Sequence, residues 1–392
     1  MSLNNEAFIE KFTGELDKIV TEKSSVGFMT DNSLRAKFVG AKTVKIPNIS
    51  LQGLGDYDRE NGFIKGTVNV FNTAYEMQMD RARTFTIDRE DMDETGIASL
   101  AGSVMGDFVK TKVVPETDAY VISKLASFAN IKGQYIEGID TTKPLKEFYR
   151  LLDNVQSEVG FDEEIVCLVD RYFWNLLRKS EEVSSIIESG AFNQGEISFD
   201  VSKIDNVSII PVSNSKMMSA FDFLPDGVGG FKAAEGSQGV YMLMLPKKSC
   251  ALVKKSEKIR VFTPDENINA DAYKFDYRIY YDVFVKKSGL DAVWAWVSPE
   301  INITSLSSDI EALEGDVDDT LSVSAESEST LSYQWYKCNN TEKSGAVKLA
   351  GATGSTYNLP TDLEKGEYYY FVRIFGDKIA SIDSAVITVT VS

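Results

Sequence analysis

Alternation of apolar and polar residues gives way to a helical period near residue 90 of the chain. Phe85 and Ile87 alternate with polar neighbours, which is typical of a half-buried strand. Beyond an acidic stretch, apolar residues recur every three or four positions, at Ile97, Leu100, Ala101, Val104, Met105 and Phe108. A second stripe follows Pro115, a favoured first-turn residue, at Ala119, Ile122, Leu125 and Ala126. The pattern predicts a long strand that runs into a long, kinked helix.

The acidic stretch between strand and helix has two interpretations. Asp91 can cap the helix, with Glu94 three residues later as in a capping box. The wider cluster is also a candidate cation site, because hard cations prefer oxygen ligands; its members are Asp88, Glu90, Asp91, Asp93 and Glu94. The spacing lacks the pattern of a calcium loop and its central glycine, so we expect capping and helix-dipole roles and no metal.

Other periodic segments predict the remaining elements. Helices are expected at Asn5–Val20, Pro144–Val159 and Arg171–Lys179. Strands are expected at Thr43–Ile49, Val68–Asp88, Ile165–Val169, Val207–Pro211, Val240–Leu245, Ala272–Val285 and Leu290–Val297. The Gly- and charge-rich stretch Gly53–Gly66 joins the first two strands, which predicts a long hairpin with a polar tip. Asp226–Lys232 is Gly-rich but lacks the Lys-Ser/Thr of a phosphate loop, so a flexible loop is expected.

Charge narrows the classes of partner. The 392-residue chain has a net charge of −18, and residues 300–392 hold half of it, with 15 acidic and 6 basic residues. Tight, sequence-specific nucleic-acid binding needs basic patches, so this balance argues against it. The negative charge is compatible with a soluble surface that does not bind a polyanion tightly. It is equally compatible with a generic acidic cytosolic protein.

Histidine is absent, which removes the commonest general base and metal ligand. We therefore expect no enzyme, no cofactor and no metal site. Cys167, Cys250 and Cys338 are far apart and form no CxxC pair. Cys167 lies in the apolar run Ile165–Val169, which favours a buried free thiol. The odd, scattered set indicates a reducing compartment, with a disulfide as the alternative. The N-terminus has no signal-peptide core and no window is apolar enough to span a membrane, so synthesis in a cytoplasm and no membrane contact are expected.

Four blocks of sequence carry a family resemblance. They are Thr43–Phe63, the run Asp80–Ala126 with its "DR-R-F-ID" and "VVPE-DAY" patterns, Val207–Met217 and Ala270–Lys287. In this order they resemble the major capsid proteins of tailed bacteriophages, which share the Hong Kong 97-type shell fold. The resemblance extends more loosely over Met1–Pro299. It implies an α+β fold with an N-terminal arm (1–41), an extension loop (42–88), a spine helix with the peripheral domain (89–140), an axial domain (141–260) and a return to the peripheral domain (261–299).

The resemblance also implies partners. It implies hexamers and pentamers of this chain in an icosahedral shell around double-stranded DNA, with portal and possible scaffold proteins as further partners and the virion as the location. The N-terminal arm would reach across neighbouring subunits, although docking on its own domain is the alternative. Charged residues on the strand and hairpin would contact neighbouring subunits, where Arg is suited to bidentate pairing; these are Arg81, Arg83, Asp88, Arg89, Asp56, Asp58 and Arg59.

The chain changes character after Pro299. Short, regularly spaced strands follow, and Leu321, Val323 and Ala325 alternate inward. Trp335 stands where an immunoglobulin-like sandwich places its core tryptophan, and Tyr368 has the position of a tyrosine corner, with Tyr370 in place of the second cysteine. Residues 300–392 thus resemble a disulfide-free immunoglobulin-like domain; an unrelated small β-sandwich is the alternative.

Together these features predict a structural major capsid protein that displays an immunoglobulin-like domain on the shell surface. A rival hypothesis is an adhesin or tail-associated binding protein whose sandwich binds carbohydrate. Tyr333, Tyr336 and Tyr357 are the aromatic candidates for such a sugar site.

Overall fold

A computed structural model describes most of the chain. The described residues are 22–31, 37–39, 42–54, 57, 59, 63, 65–90, 104–138, 140, 142–184, 186–194, 197–224, 229–327, 329–376 and 379–392. The predicted helix Asn5–Val20, the capping pair Asp91 and Glu94, and the apolar stripe from Ile97 to Ala101 lie outside these residues. The described part is an α+β structure rich in strands.

The strands and helices have the following bounds. In the first half of the chain the strands are β1 (Lys37–Val39), β2 (Thr43–Leu51), β3 (Val68–Glu76), β4 (Met79–Asp88), β5 (Tyr135–Glu137), β6 (Ile165–Asp170), β7 (Glu188–Gln194) and β8 (Ile197–Ile204). They continue with β9 (Val207–Val212), β10 (Phe221–Phe223), β11 (Phe231–Ala233), β12 (Val240–Pro246), β13 (Cys250–Phe262), β14 (Ala272–Val285) and β15 (Trp294–Val297). The helices are α1 (Val114–Ile131), α2 (Pro144–Val159), α3 (Arg171–Lys179) and α4 (Glu181–Ser184).

Seven described strands form a central sheet in the order β5-β15-β12-β6-β9-β8-β7. Every residue of β6 and β12 is buried, which explains why both read as continuous apolar runs without alternation. Helices α2 and α3 pack on one face of this sheet, around Phe148, Phe173 and Trp296. The other face packs against α1, so the sheet is covered on both sides.

Local signals explain where α2 and α3 begin and end. Pro144 occupies the first turn of α2, and the helix ends before Gly160, whose φ of +82° favours glycine. At α3 the side chain of Asp170 accepts a hydrogen bond from the Phe173 amide at 2.7 Å, which is an N-cap. Both helices have the bounds that the sequence predicts.

Residues 104–131 form one long helix, interrupted by a π-helical turn at Val109–Val113. The Val114 amide donates to the Val109 carbonyl, one residue beyond the α-helical partner. Pro115 follows directly and has no amide hydrogen to donate, so the wider turn accommodates it without ending the helix. At the position of the predicted kink, near Pro115, the structure has a π-helical turn inside a continuous helix.

The second layer of the body is an elongated sheet of β13, β14 and β4. β4 pairs with β14 from Asp88 opposite Ala272 to Met79 opposite Tyr281. The inward side chains of β14 pack against the long helix; they are Phe275, Tyr277, Ile279 and Tyr281. The opposite face alternates with it and carries polar residues such as Thr84 and Arg278.

The C-terminal part forms a sandwich of two sheets. One sheet contains β16 (Asn302–Leu306), β18 (Thr320–Glu326) and β21 (Thr356–Asn358). The other contains β17 (Ile310–Ala312), β24 (Ile387–Val391), β22 (Gly366–Gly376), β19 (Ser332–Cys338) and β20 (Val347–Lys348), with β23 (Ile379–Asp383) paired to β22. Leu321 and Val323 are buried and Ala325 is half-buried on the inner face, as the predicted alternation requires. This core is separate from those of the body.

Some elements differ from the sequence prediction. The strand expected at Leu290–Val297 is wrong over its first residues: a 3-10 helix covers Lys287–Ala292, and the strand begins at Trp294. Gly289 in that turn packs so closely on Ser249 that a Cβ atom would lie 2.6 Å from the serine Cβ. The segment expected as one strand, Val68–Asp88, divides at Met77 and Gln78 into β3 and β4.

β13 and the hairpin of β7 and β8 were not predicted. β13 pairs along its length with β14, so the expected domain boundary at residue 260 falls inside this strand. β5 and β15 belong to the central sheet, although the sequence groups both segments with the peripheral domain.

Candidate functional site

The most unusual surface of the molecule is the projecting hairpin formed by β2 and β3. The two strands pair from Thr43 opposite Glu76 to Leu51 opposite Val68, as the sequence predicts. Val70 is 67% exposed and its neighbour Phe71 is 43% exposed. Because adjacent residues of a strand point to opposite faces, both faces of β3 expose apolar surface at these two positions. A two-sided apolar strand with an open edge is typical of a surface that pairs with another chain.

The base of the hairpin is packed into the body. Val44 and Ile46 of β2 lie with Met77, Tyr280 and Phe284 in a small buried cluster. The Met77 amide donates to the Lys42 carbonyl at 2.9 Å, and the Tyr280 hydroxyl donates to the Met77 carbonyl at 3.1 Å. The hairpin is therefore fixed at one end, and β3 is exposed along most of its length.

A fully buried carboxylate, Asp282, joins this base to the long helix. It accepts hydrogen bonds from Lys124 Nζ at 2.5 Å, from the Tyr120 hydroxyl at 2.8 Å and from the Gln78 amide at 3.1 Å. Burial, and then the charge of Asp282, raise the pKa of Tyr120, so this hydroxyl is a hydrogen-bond donor at any working pH. Three segments distant in sequence therefore meet at one side chain.

A second buried carboxylate, Asp118, lies on the long helix itself. Asp118 accepts from Lys216 Nζ at 2.7 Å, from Ser24 Oγ at 2.6 Å and from the Ser25 amide at 3.1 Å. It thereby ties the first described segment, residues 22–31, to the helix and to the 3-10 turn Asn214–Lys216. These two clusters position the parts of the body around the long helix.

A cavity of about 510 Å³ opens between β4, β14, the π-helical turn and residues 229–231. Its apolar wall contains Phe85, Phe108 and Tyr277, whose rings meet edge to face at 4.7 and 5.7 Å. Lys112 and Arg83 also line it. The Tyr281 hydroxyl is buried there, and burial raises its pKa.

Arg81 lies at the edge of this cavity and is paired within the chain. Its Nε is 2.6 Å from Glu116 Oε1, and its Nη2 donates to the Leu224 carbonyl at 3.2 Å. Arg81 therefore holds Leu224, the residue after β10, against the long helix. This bidentate, part-buried pair is the kind of contact to which the guanidinium group is suited.

The structure places the described contact residues in three regions. Arg81 and Arg83 border the cavity, whereas Asp88 and Arg89 lie at the far end of β4, where Asp88 accepts from the Glu90 amide at 2.9 Å and Arg89 pairs with Asp271 at 3.6 Å. Arg59 lies in the described part of the hairpin tip; Asp56 and Asp58 lie outside the described residues. Their contacts with neighbouring subunits stay a prediction.

Sequence reasoning missed the two buried carboxylates. Asp282 stands inside the apolar run YYDVFV, and a lone acid at such a position needs a buried cation or hydrogen-bond donors. The sequence thus indicates that Asp282 has a buried partner. It does not identify that partner as Lys124, which lies 158 residues earlier in the chain.

The sandwich residues singled out from the sequence lie at its centre. Trp335 is fully buried and its Nε1 donates to the Gly354 carbonyl at 3.0 Å, and Tyr370 is buried beside it. The Tyr368 hydroxyl donates to the Glu364 carbonyl at 2.9 Å, four residues upstream.

The tyrosines considered for sugar binding also pack within the chain. Tyr357 packs its ring on Trp335 at 6.2 Å, and Tyr336 stacks on Phe371 at 5.1 Å with Arg373 over its ring. Tyr333 is half-buried against the core of the sandwich.

Three further findings bear on chemistry. Among the described residues, no group of three His, Cys, Asp or Glu side chains could hold a metal ion. Cys167, Cys250 and Cys338 are buried thiols, and burial raises the pKa of Cys250 to about 12. None of the described helices has both the length and the apolar character needed to cross a membrane.

Comparisons with known proteins give structural similarity only. No family model matches the sequence. No curated protein matches it either. Among solved structures, the chain is similar to the capsid of cyanophage P-SCSP1u, with 11% identity, 67% of this chain and 85% of that chain covered, and a TM-score of 0.46.

Two other solved structures are similar to a comparable degree. The mature capsid of bacteriophage PhiM1 has 13% identity, with 66% of this chain and 82% of that chain covered and a TM-score of 0.44. The virus-like particle from Pyrococcus furiosus has 11% identity, with 74% of this chain and 99% of that chain covered and a TM-score of 0.43. Identities and TM-scores of this size do not show membership in a family.

Proposed function

We propose that this chain is the major capsid protein of a tailed bacteriophage and that it works by self-assembly. The observation that carries this proposal is the projecting hairpin, which is fixed at its base and exposes apolar side chains on both faces. The ordered sequence blocks that resemble shell proteins agree with it.

Burial of this hairpin by another copy would be strongly favourable. Covering one Val or Phe side chain fully contributes about 1.5–3 kcal/mol, and the hairpin exposes several, among them Val68, Val70 and Phe71. An isolated two-stranded hairpin is only marginally stable in water, so its anchored base supplies the rigidity that a repeated contact requires. These features support a role between subunits.

The geometry of such a contact leads to rings. The hairpin of one subunit covers a different surface on the next, which makes the interface heterologous. A heterologous contact that closes gives rings, and in the proposed shell these are hexamers and pentamers around double-stranded DNA. Portal and scaffold proteins are the further partners that the resemblance implies.

The sandwich is proposed to be an immunoglobulin-like domain displayed on the outside of the shell. Its buried Trp335 and the hydrogen bond from Tyr368 to a carbonyl four residues upstream are features of that fold. Its share of the negative charge suits a solvated outer surface. Carbohydrate binding is not proposed, because Tyr336 and Tyr357 pack against aromatic neighbours of the same chain.

Electron microscopy tests the proposal. Purified protein is imaged by negative stain over a range of protein and salt concentrations, with light scattering to measure its mass. Rings or closed shells are expected. A chain that stays monomeric in every condition, and also when co-expressed with the scaffold and portal genes of its source, would overturn the proposal.

A further inference from the structure

We propose that the acidic end of the sandwich of one copy, residues 311–318, docks on the outer face of the sheet β13-β14-β4 of a second copy. Leu313 inserts into a notch above Ala82, and the carboxylate of Glu314 pairs with Lys258. This inference rests on the proposed function, because assembly supplies the second copy.

The outer face of this sheet, which points away from the long helix, is basic in a chain that is acidic overall. Alternation along β13 and β14 places four cations there, Lys258, Arg260, Lys274 and Arg278. Two of them are paired within the chain. Arg278 donates to Asp80 from Nε at 2.8 Å and from Nη2 at 2.6 Å, and Lys274 Nζ lies 3.5 Å from Asp276.

Lys258 and Arg260 are the two cations of this face that remain, and both are exposed. Among the described residues, neither is in ion-pair contact with a carboxylate. Lys258 lies directly opposite Arg278, and like charges in that position are unfavourable. A carboxylate from another chain would relieve this repulsion, so the face favours an anionic partner.

A notch of about 270 Å³ opens beside these two cations. Ala82 and Thr84 of β4 line it, and Ala82 lies directly opposite Arg278, whose guanidinium group turns aside to Asp80. The short side chain of Ala82 therefore leaves space between longer neighbours. Pockets for drug-sized ligands begin at roughly 300 Å³, so this smaller volume suits one inserted side chain.

The acidic end of the sandwich has the complementary properties. Leu313 is 63% exposed, and Glu314 follows it. The Glu314 amide donates to the Ser392 carbonyl at 3.3 Å, and the Asp316 amide donates to the Leu313 carbonyl at 3.0 Å. The turn is therefore ordered before it binds, which lowers the entropic cost of docking. Its exposed carboxylates have no ion pair among the described residues; they are Glu311, Glu314, Asp316 and Asp318.

The occupant is the sandwich of a second copy rather than that of the same chain. The sandwich contacts its own body at the other end, where the Asp383 amide donates to Glu235 at 2.6 Å. Asp383 lies opposite Arg373 of β22, and β17 ends level with Gly366, seven residues earlier in that strand. The acidic end therefore lies about 23 Å from this contact. None of its residues lines the notch of its own chain.

Disulfide trapping between two different full-length chains tests this contact. Chains with Ala82→Cys and chains with Leu313→Cys, one kind extended by an affinity tag, are mixed, assembled and mildly oxidised. A disulfide-linked pair with one chain of each size is expected, and such a link has to join two copies. The native cysteines are buried, so they give little background. In the control, Val347→Cys on β20, at the opposite edge of the sheet from β17, replaces Leu313→Cys and is expected to stay unlinked.

A charge swap tests the ion pair. Adding Lys258→Glu to the Ala82→Cys chains is expected to lower the cross-linked fraction about fivefold. Adding Glu314→Lys to the Leu313→Cys chains should then restore it, because the two charges are again opposite. Glu342→Lys is the matched control, since this exposed acid of the sandwich lies outside residues 311–318. It should restore nothing.

DNA is the other polyanion that a basic face attracts. Fluorescence anisotropy with a short labelled duplex measures DNA binding by the wild type and by Lys258→Glu. Equal, weak binding is expected. DNA binding that depends on Lys258, with no cross-link above the control, would overturn the proposal in favour of DNA on this face.

The outcomes separate this inference from the proposed function. If wild-type shells form, yet the 82–313 pair links no more than the control pair and the charge swap restores nothing, the docking is overturned and the capsid role stands. If the wild type never assembles and the 82–313 pair stays unlinked, both are overturned.

Discussion

Lys124 Nζ lies 2.5 Å from Asp282 Oδ1, and this contact joins the long helix to β14 beside the base of the projecting hairpin. Asp282 is fully buried and Lys124 retains 20% of its side-chain exposure. The pair joins β14, which packs at the base of the projecting hairpin, to the long helix at the centre of the body. Its loss should therefore affect both the stability of the fold and the orientation of the hairpin.

Asp282→Asn is expected to destabilise the chain by about 3 kcal/mol, because it leaves the Lys124 ammonium near a buried site without its counter-charge. Urea unfolding followed by circular dichroism measures this. The double variant with Lys124→Met should recover part of the loss, since both charges are then gone.

The control for this variant is Asp291→Asn, which breaks the exposed pair between Lys132 and Asp291. Exposed pairs contribute little, so only a small change is expected there. Equal effects of Asp282→Asn and Asp291→Asn would contradict the anchoring role of Asp282.

A charge on the hairpin should block assembly without unfolding the chain. Val70→Asp places a carboxylate on a side chain that is 67% exposed in the single chain, so the free energy of unfolding of the monomer should stay within about 0.5 kcal/mol. Sedimentation velocity should show loss of the assembled species. Val347→Asp makes the same change at 65% exposure on the sandwich and should leave assembly intact.

The pair of Asp80 and Arg278 should add a pH-dependent contribution to stability. Hydrogen bonding from Arg278 to the carboxylate lowers the pKa of Asp80. A carboxylate with a lowered pKa stabilises the fold above its unfolded value of about 3.9, and the contribution is lost as pH falls through the folded value. Wild type should thus exceed Asp80→Asn in stability at pH 7 by a small, salt-sensitive margin that vanishes in acid. If the stability difference between wild type and Asp80→Asn grows as the pH falls, the lowered pKa of Asp80 is contradicted.

The sandwich should depend on a single tyrosine hydroxyl. Tyr368→Phe removes the hydrogen bond to the Glu364 carbonyl and is expected to cost about 0.5–1.5 kcal/mol. Hydrogen exchange of the β22 amides in the full chain reports this loss locally. Tyr369→Phe removes a bond to the Glu367 side chain, two residues away on the same strand, and not a bond to the backbone, so its exchange should match the wild type.

Elements with a clear period or boundary residue could be predicted from the sequence. Pro144 and Gly160 delimit α2, and its apolar side is regular, so its bounds follow from local rules. β6 and β12 are recognisable as short apolar runs because both faces of the central sheet are covered. The exposed hairpin follows from its two extended arms and the Gly-rich tip.

Other elements depend on long-range pairing. β13 reads ALVKKSEKIRVF after its cysteine, and the charges in its middle hide the alternation that its pairing with β14 requires. The bond between Asp118 and Lys216 joins residues 98 apart in sequence. Neither residue type nor spacing identifies such a partner, because the packing of the whole body brings the two side chains together.

The most direct test of the central claim is a cryo-electron microscopy reconstruction of the assembled protein. The account predicts that β2 and β3 of each subunit lie against the neighbouring subunit, with Val70 and Phe71 covered. Assembled particles in which both faces of the hairpin remain in solvent would contradict it.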